Sequence, residues 1–174
     1  MSKTWMTGAL VLGIMVAGAS RLPAEDNDGN GRNVAVVREW TGFHSTQEVP
    51  RRGVVTNQRD WEAVWSIMHG GVEPKPETPA IDFAGHMVIA VFMGERATGG
   101  YRTRITKIED HDKRVVSVQE SRPPPDAMTI QALTSPYHVV VVPKTDKAVE
   151  FVRLADAAEL EPHETFTATF VVVP

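Results

Sequence analysis

Met87-Val88-Ile89-Ala90-Val91-Phe92-Met93 is a near-continuous apolar run of strand length. A half-buried strand alternates apolar with polar residues, so an unbroken run of this kind reads as a strand central in a sheet. Reading downstream, Gly94 to Gly100 joins this strand to a second, Tyr101 to Ile108. The polar stretch Glu109-Asp110-His111-Asp112-Lys113 leads into a third strand, Arg114 to Glu120. Pro123-Pro124-Pro125 is a stiff connection. Tyr137 to Val142 is a valine strand, and Lys144 to Lys147 reads as its turn into Ala148 to Arg153. Thr165 to Val173 alternates, with Phe166, Ala168, Phe170 and Val172 on one face, the pattern of an antiparallel strand.

Upstream, Pro74, Pro76 and Pro79 make an extended loop that cannot continue a helix. Before it, Asn57 is placed to cap a helix through Asp60, and Trp61, Val64, Trp65 and Met68 fall at i, i+3, i+4 and i+7. That stripe predicts a buried face, and Gly70-Gly71 stops the helix. Val54-Val55 reads as a short strand, and Asn33 to Trp40 as a longer one running into a loop with Gly42. One helix cannot supply the crossovers of a parallel sheet. The expected fold is therefore α+β and mainly β: a twisted, partly curled antiparallel sheet with one amphipathic helix on a face.

The 174 residues allow one ordinary domain. Eighteen Lys and Arg against 22 Asp and Glu give a net charge of −4, which argues against a nucleic-acid surface. Without cysteine there is no disulfide, thiol chemistry or Cys-ligated metal. Residues 1–19 read as a secretory signal peptide: Lys3, an apolar run from Ala9 to Val16, then Ala17-Gly18-Ala19, with cleavage expected after Ala19. The run is too short to span a bilayer and no later one is longer, so the mature chain is expected without a membrane span, in a periplasm or secreted. Residues 20–33 read as a flexible linker and 34–174 as a single domain. Asp26, Asp28, Asn30 and Gly31 match the start of a calcium loop, but its twelfth position is Val37 where a Glu is required, so no metal is expected.

Nothing in the sequence carries a catalytic motif. The six histidines lack a helical zinc spacing, and His138 sits in a valine strand. Ser135 has no nucleophile elbow around it. Gly94 to Gly100 opens no helix, so it lacks the dipole of a phosphate or dinucleotide site. Arg102 and Arg104 alternate as on an exposed strand face. No catalytic residue and no cofactor are expected. Three stretches stand out as binding loops instead: Thr98-Gly99-Gly100-Tyr101, with Tyr101 as an aromatic anchor; Arg122-Pro123-Pro124, preordered by its prolines; and Ser135-Pro136-Tyr137-His138. A plain hairpin turn is the alternative reading of the first.

The Trp61/Trp65 helix, Val-Ile-Ala-Val-Phe at 88–92, Thr-Gly-Gly-Tyr at 98–101 and Gln-Ala-Leu-Thr-Ser-Pro-Tyr-His-Val at 131–139 together resemble the PrcB C-terminal domain family over about residues 54–153. That family is named for a subunit of a bacterial protease complex. The resemblance implies an exported, non-catalytic accessory protein with a protein partner, an exported protease among the candidates. Thr98–Tyr101 is also similar to the Thr-Thr-Gly-Tyr loop of chagasin-type cysteine-protease inhibitors. Arg96-Ala97 replaces the Asn-Pro before that motif, and the glycine-rich second loop is missing. A third reading is a small-ligand carrier or orphan enzyme, with a pocket lined by Trp61, Trp65 and Tyr101.

Overall fold

The structure, a computed structural model, describes residues 31–154 and 165–166. The expected signal peptide, its cleavage point and the alternating run beyond Phe166 lie outside the described residues. In chain order the elements are β1 (Arg32–Asn33), β2 (Arg38–Gly42), β3 (Arg51–Val55), α1 (Gln58–Met68), β4 (His86–Phe92), β5 (Arg102–Asp110), β6 (Arg114–Ser121), β7 (Tyr137–Pro143), β8 (Val149–Leu154) and β9 (Thr165–Phe166). The described residues are mainly β with one short helix, as expected. The strands form two sheets, ordered β2-β7-β4-β3 and β1-β5-β6-β8-β9.

α1 begins where the sequence places it. Asn57 is extended and its Oδ1 accepts from the Asp60 amide at 3.0 Å, while its Nδ2 donates to the Asp60 carboxylate at 2.8 Å. His69 closes the helix as C-cap, with Gly70 and Gly71 following it. The buried residues of the helix are Trp61, Val64, Trp65 and Met68. They pack on Val88, Ala90 and Phe92 of β4 and on Tyr137, Val139 and Val141 of β7. Trp40 of β2 completes an aromatic trio, its ring 5.1 Å from Trp61 and 5.6 Å from Trp65. The Trp61 and Trp65 indoles donate to the carbonyls of Pro79 and Pro76, so the proline loop lies along the helix and satisfies both buried donors.

The other face of β4 and β7 is equally dry. Met87, Ile89 and Val91 with Val140 and Val142 meet Ile105, Ile108, Val116, Val118 and Phe151 of the five-stranded sheet. The four-stranded sheet is thus the middle layer of three. Both β4 and β7 are antiparallel to their neighbours and buried on both sides, which is why neither alternates. Each such side chain contributes about 2 kcal/mol, so this double core outweighs the exposed ion pairs.

Layering breaks several local expectations. Asn33 to Trp40 is not one strand: β1 pairs with β5 and β2 with β7, so the chain changes sheet between them. Arg32 and Asn33, the end of the expected linker, already belong to the five-stranded sheet. Lys144 to Lys147 does lead from β7 into β8, but not within one sheet. It carries the chain back to the other layer, where β8 runs parallel to β6. The parallel pair needs no helical crossover, because β7 in the opposite sheet serves as the return. The polar stretch at 109–113 joins β5 and β6 as an antiparallel hairpin, with Asp110 opposite Arg114 and a bulge between Ile105 and Lys107.

At that hairpin Arg114 is only 2% exposed. Its Nε and Nη2 donate to the Asp110 carboxylate at 2.7 and 2.9 Å, and its Nη1 donates to the Pro143 carbonyl. The guanidinium thereby ties the β5–β6 turn to the end of β7. Hydrogen bonding from Arg114 holds the Asp110 carboxyl below its ordinary value, against the opposing effect of burial. Its stabilising contribution is therefore present above the unfolded value of 3.8 and is lost as pH falls through the folded one. We expect Asp110→Ala to cost about 3 kcal/mol in urea unfolding, since it strands a buried cation, and to reduce the acid sensitivity of the protein.

Candidate functional site

Three connections meet at one end of the two sheets: β2–β3, β4–β5 and β6–β7. They are stitched to one another through their backbones. The Glu95 amide donates to the Glu48 carbonyl at 2.8 Å, and Arg96 and Thr134 exchange amide–carbonyl bonds at 2.7 and 2.9 Å. The Gly99 amide donates to the Ile130 carbonyl at 3.0 Å, and the Ser135 amide to the Phe43 carbonyl at 2.8 Å. The Thr134 hydroxyl reaches the Thr98 carbonyl at 2.9 Å.

Thr98–Tyr101 is therefore not a hairpin turn but part of a span between two layers. Gly94 (φ +76) and Gly100 (φ +89) take the left-handed conformations that let the chain change sheet. Gly99 does not, and its role is clearance: a Cβ there would lie 2.5 Å from the Ile130 side chain. A Cβ on Gly100 would meet Pro123 at 2.8 Å. The first two expected binding stretches thus touch each other. Thr98 and Tyr101 are half-buried and Gly99 is buried, while Arg122 and Pro124 are exposed beside the half-buried Pro123.

The third stretch is not a surface. Ser135, Pro136, Tyr137 and His138 are all buried: Tyr137 and His138 open the middle-layer strand β7, and the two residues before it are held by bonds to the β2–β3 and β4–β5 connections. Ser135 Oγ donates to the Gln47 carbonyl at 2.6 Å and lies 2.7 Å from Ser45 Oγ, with no base against it. Tyr137 packs with Phe92 in the core under the helix, and burial raises its phenol above the ordinary value. The residues that do face solvent here are Met128, Ile130 and Leu133 of the β6–β7 connection, with Phe43 and Val49 from β2–β3. Met128 stands wholly exposed, and Ile130 and Leu133 are 65% and 62% exposed. Sequence periodicity offers no signal for them, since isolated apolar residues in a loop have no partner pattern.

Beside these loops lies a hollow of about 300 Å³ lined by Met93, Arg96, Tyr101, Glu120, Arg122 and Arg153. Glu120 is paired with Arg52 at 2.8 Å and approached by Arg153 at 3.7 Å. Arg96 stacks over the Tyr101 ring, 5.7 Å from its centroid, and donates to the Met93 carbonyl at 2.9 Å. Trp61 and Trp65 do not line it. They fill the layer beneath the helix, so the expected pocket shared by both tryptophans and Tyr101 is not formed.

His138 joins the layers. Its Nδ1 accepts from the Ile105 amide at 2.9 Å, on a part of β5 that two-residue β1 does not reach. That bond places the proton on Nε2, 3.3 Å from the Glu39 carboxylate. Desolvation holds the ring below its ordinary value of 6.5, Arg104 acting the same way and Glu39 opposing both. Among the described residues no three His, Asp or Glu side chains converge as a metal site, and no helix is long and apolar enough to cross a membrane.

Residues 87–143 match the family model described as PrcB C-terminal. The matched segment runs from β4 through β7, and so contains both doubly buried strands. No curated protein and no solved structure matches the chain.

Gly94→Ala would place a Cβ 2.7 Å from the Pro50 amide nitrogen at φ +76, and should cost about 1–3 kcal/mol in equilibrium unfolding. Gly99→Ala meets the Ile130 side chain, nearest at Cγ1, which can turn about χ1 into solvent because Ile130 is 65% exposed, and should cost less than Gly94→Ala, about 1 kcal/mol. For His138, the unfolded state binds the proton more readily, so stability rises with pH in the window below 6.5. His138→Gln should flatten that part of the stability–pH curve in thermal melts, and an unchanged slope would remove His138 as its source.

Proposed function

We propose, from the match of residues 87–143 to the PrcB C-terminal family model, that the protein is an exported, non-catalytic accessory protein that binds another protein, an exported protease in particular, through this loop end. The observation that carries the reading is the exposure of Met128, Ile130, Leu133, Phe43 and Val49 on connections that are bonded to one another. Apolar side chains standing in water on a rigid support are the usual mark of a docking site. Because the loops are already fixed, little ordering entropy is lost when a partner arrives.

Export is supported by the apolar run after Lys3 and the small residues ending at Ala19. The non-catalytic reading is supported by how the chemically capable groups are engaged: Ser135 and His138 are buried, separately bonded and part of the scaffold. Cysteine-protease inhibition by Thr98–Tyr101 draws no support, since Gly99 lies beneath Ile130 and the segment does not project as a wedge.

The test is the paired substitution Ile130→Asp and Leu133→Asp. Exposed positions of this kind leave stability within about 0.5 kcal/mol, so the melting curve should be unchanged. Affinity for an exported protease co-purified with the wild-type protein should fall about tenfold or more. Undiminished binding by the folded double variant would refute the assignment of this end.

A further inference from the structure

Arg96 is the unusual member of the hollow beside the loops. The buried Arg114 has the Asp110 carboxylate, and Arg52 and Arg153 share Glu120. Arg96 makes no ion pair among the described residues. Its contacts are the Met93 carbonyl and the Tyr101 ring, neither of which carries a formal negative charge, and its Nε is buried with no hydrogen-bond partner. A half-buried guanidinium with donors to spare and no counter-charge has paid desolvation without the compensating contact. Glu120, the one carboxylate lining the hollow, is already engaged by two other arginines. The Tyr101 ring holds the Arg96 plane in place, so its fork is preorganised for a planar two-oxygen ligand.

We infer that this hollow is a carboxylate-binding subsite, taking an acidic side chain of the partner protein while the apolar tips hold the residues next to it. The inference rests on the loop end being a protein-binding surface. Adjacency supports it: Gly100 packs on Pro123 and Gly99 on Ile130, so Tyr101 and Arg122 at the hollow continue directly into the tips. A segment with one Glu between apolar residues matches that layout. The Glu would reach Arg96, and its neighbours would lie over Ile130 and Leu133.

The experiment is an NMR titration of the purified protein with N-acetyl-Leu-Glu-Leu-amide, with its Gln counterpart, and with inorganic phosphate at matched ionic strength. The Glu peptide should shift the Arg96 side-chain and Tyr101 amide resonances, and the Gln peptide should bind about tenfold more weakly or worse. Arg96→Gln should remove the preference for Glu, and Arg96→Lys should keep part of it, by retaining the charge without the fork. The Glu-to-Gln contrast on the wild-type protein needs no variant to fold. Equal binding of the two peptides, or phosphate binding as tightly as the Glu peptide, overturns the inference. If protease capture depends on Ile130 and Leu133 but not on Arg96, the subsite fails and the loop-end reading stands. If the Glu peptide is preferred while capture ignores the tips, the subsite stands and the loop-end reading fails.

Discussion

Burial of β4 and β7 on both faces is the constraint from which the rest of the structure follows. A sheet covered on one side would leave Met87, Ile89, Val91, Val140 and Val142 in water. The five-stranded sheet covers that face, and α1 with Trp40 covers the other. Each layer is required by the apolar surface of the middle one. The two outer layers are correspondingly free to be polar outside, and β5 shows it: Arg102 and Arg104 face solvent while Thr103 and Ile105 point inward.

How much of this could be read from the sequence depends on whether the determinant was local. The helix was legible because its cap and stripe lie within twelve residues, from Asn57 to Met68. The β5–β6 hairpin was legible for the same reason, its polar turn separating two strands that pair with each other. Sheet membership was not. Asn33 to Trp40 has one continuous composition, yet its two ends hydrogen-bond to different layers. Alternation reports that a strand has an inside, not which sheet supplies its edge. The burial of Arg114 is not legible in the sequence, because a charged side chain is expected at the surface. Its burial depends on Asp110 and on the Pro143 carbonyl, which only the three-layer arrangement brings together.

The candidate end shows the same division. Thr98–Tyr101 and Arg122–Pro124 stood out through glycine and proline, residues whose backbone restrictions are visible in one dimension. The structure brings them together, with Gly100 against Pro123. Ser135–His138 is marked in the sequence by composition alone, and its burial follows from Tyr137 and His138 opening a middle-layer strand, with Ser135 bonded beneath the β2–β3 connection. His138 is therefore part of the cement between sheets rather than a reader of the surface. Arg96 and the exposed Met128, Ile130 and Leu133 carry no motif. Their interest lies in what they lack among the described residues, a carboxylate for the first and a covering layer for the others.

That the connections change sheet has a further consequence for the loop end. A hairpin loop is anchored by two adjacent strands and can sway with them. The β4–β5 and β6–β7 connections are each anchored in both layers, and are cross-bonded through Arg96 and Thr134. Moving one would require sliding the two sheets past each other across a packed core, which close packing resists. The same apolar contacts that make β4 and β7 central therefore hold the tips and the Arg96–Tyr101 stack in a fixed relation. Residues 87–143 carry both the central strands and those two connections. The tips themselves add nothing to the core, so their side chains can be chosen by what they touch outside, while the strands beneath them cannot.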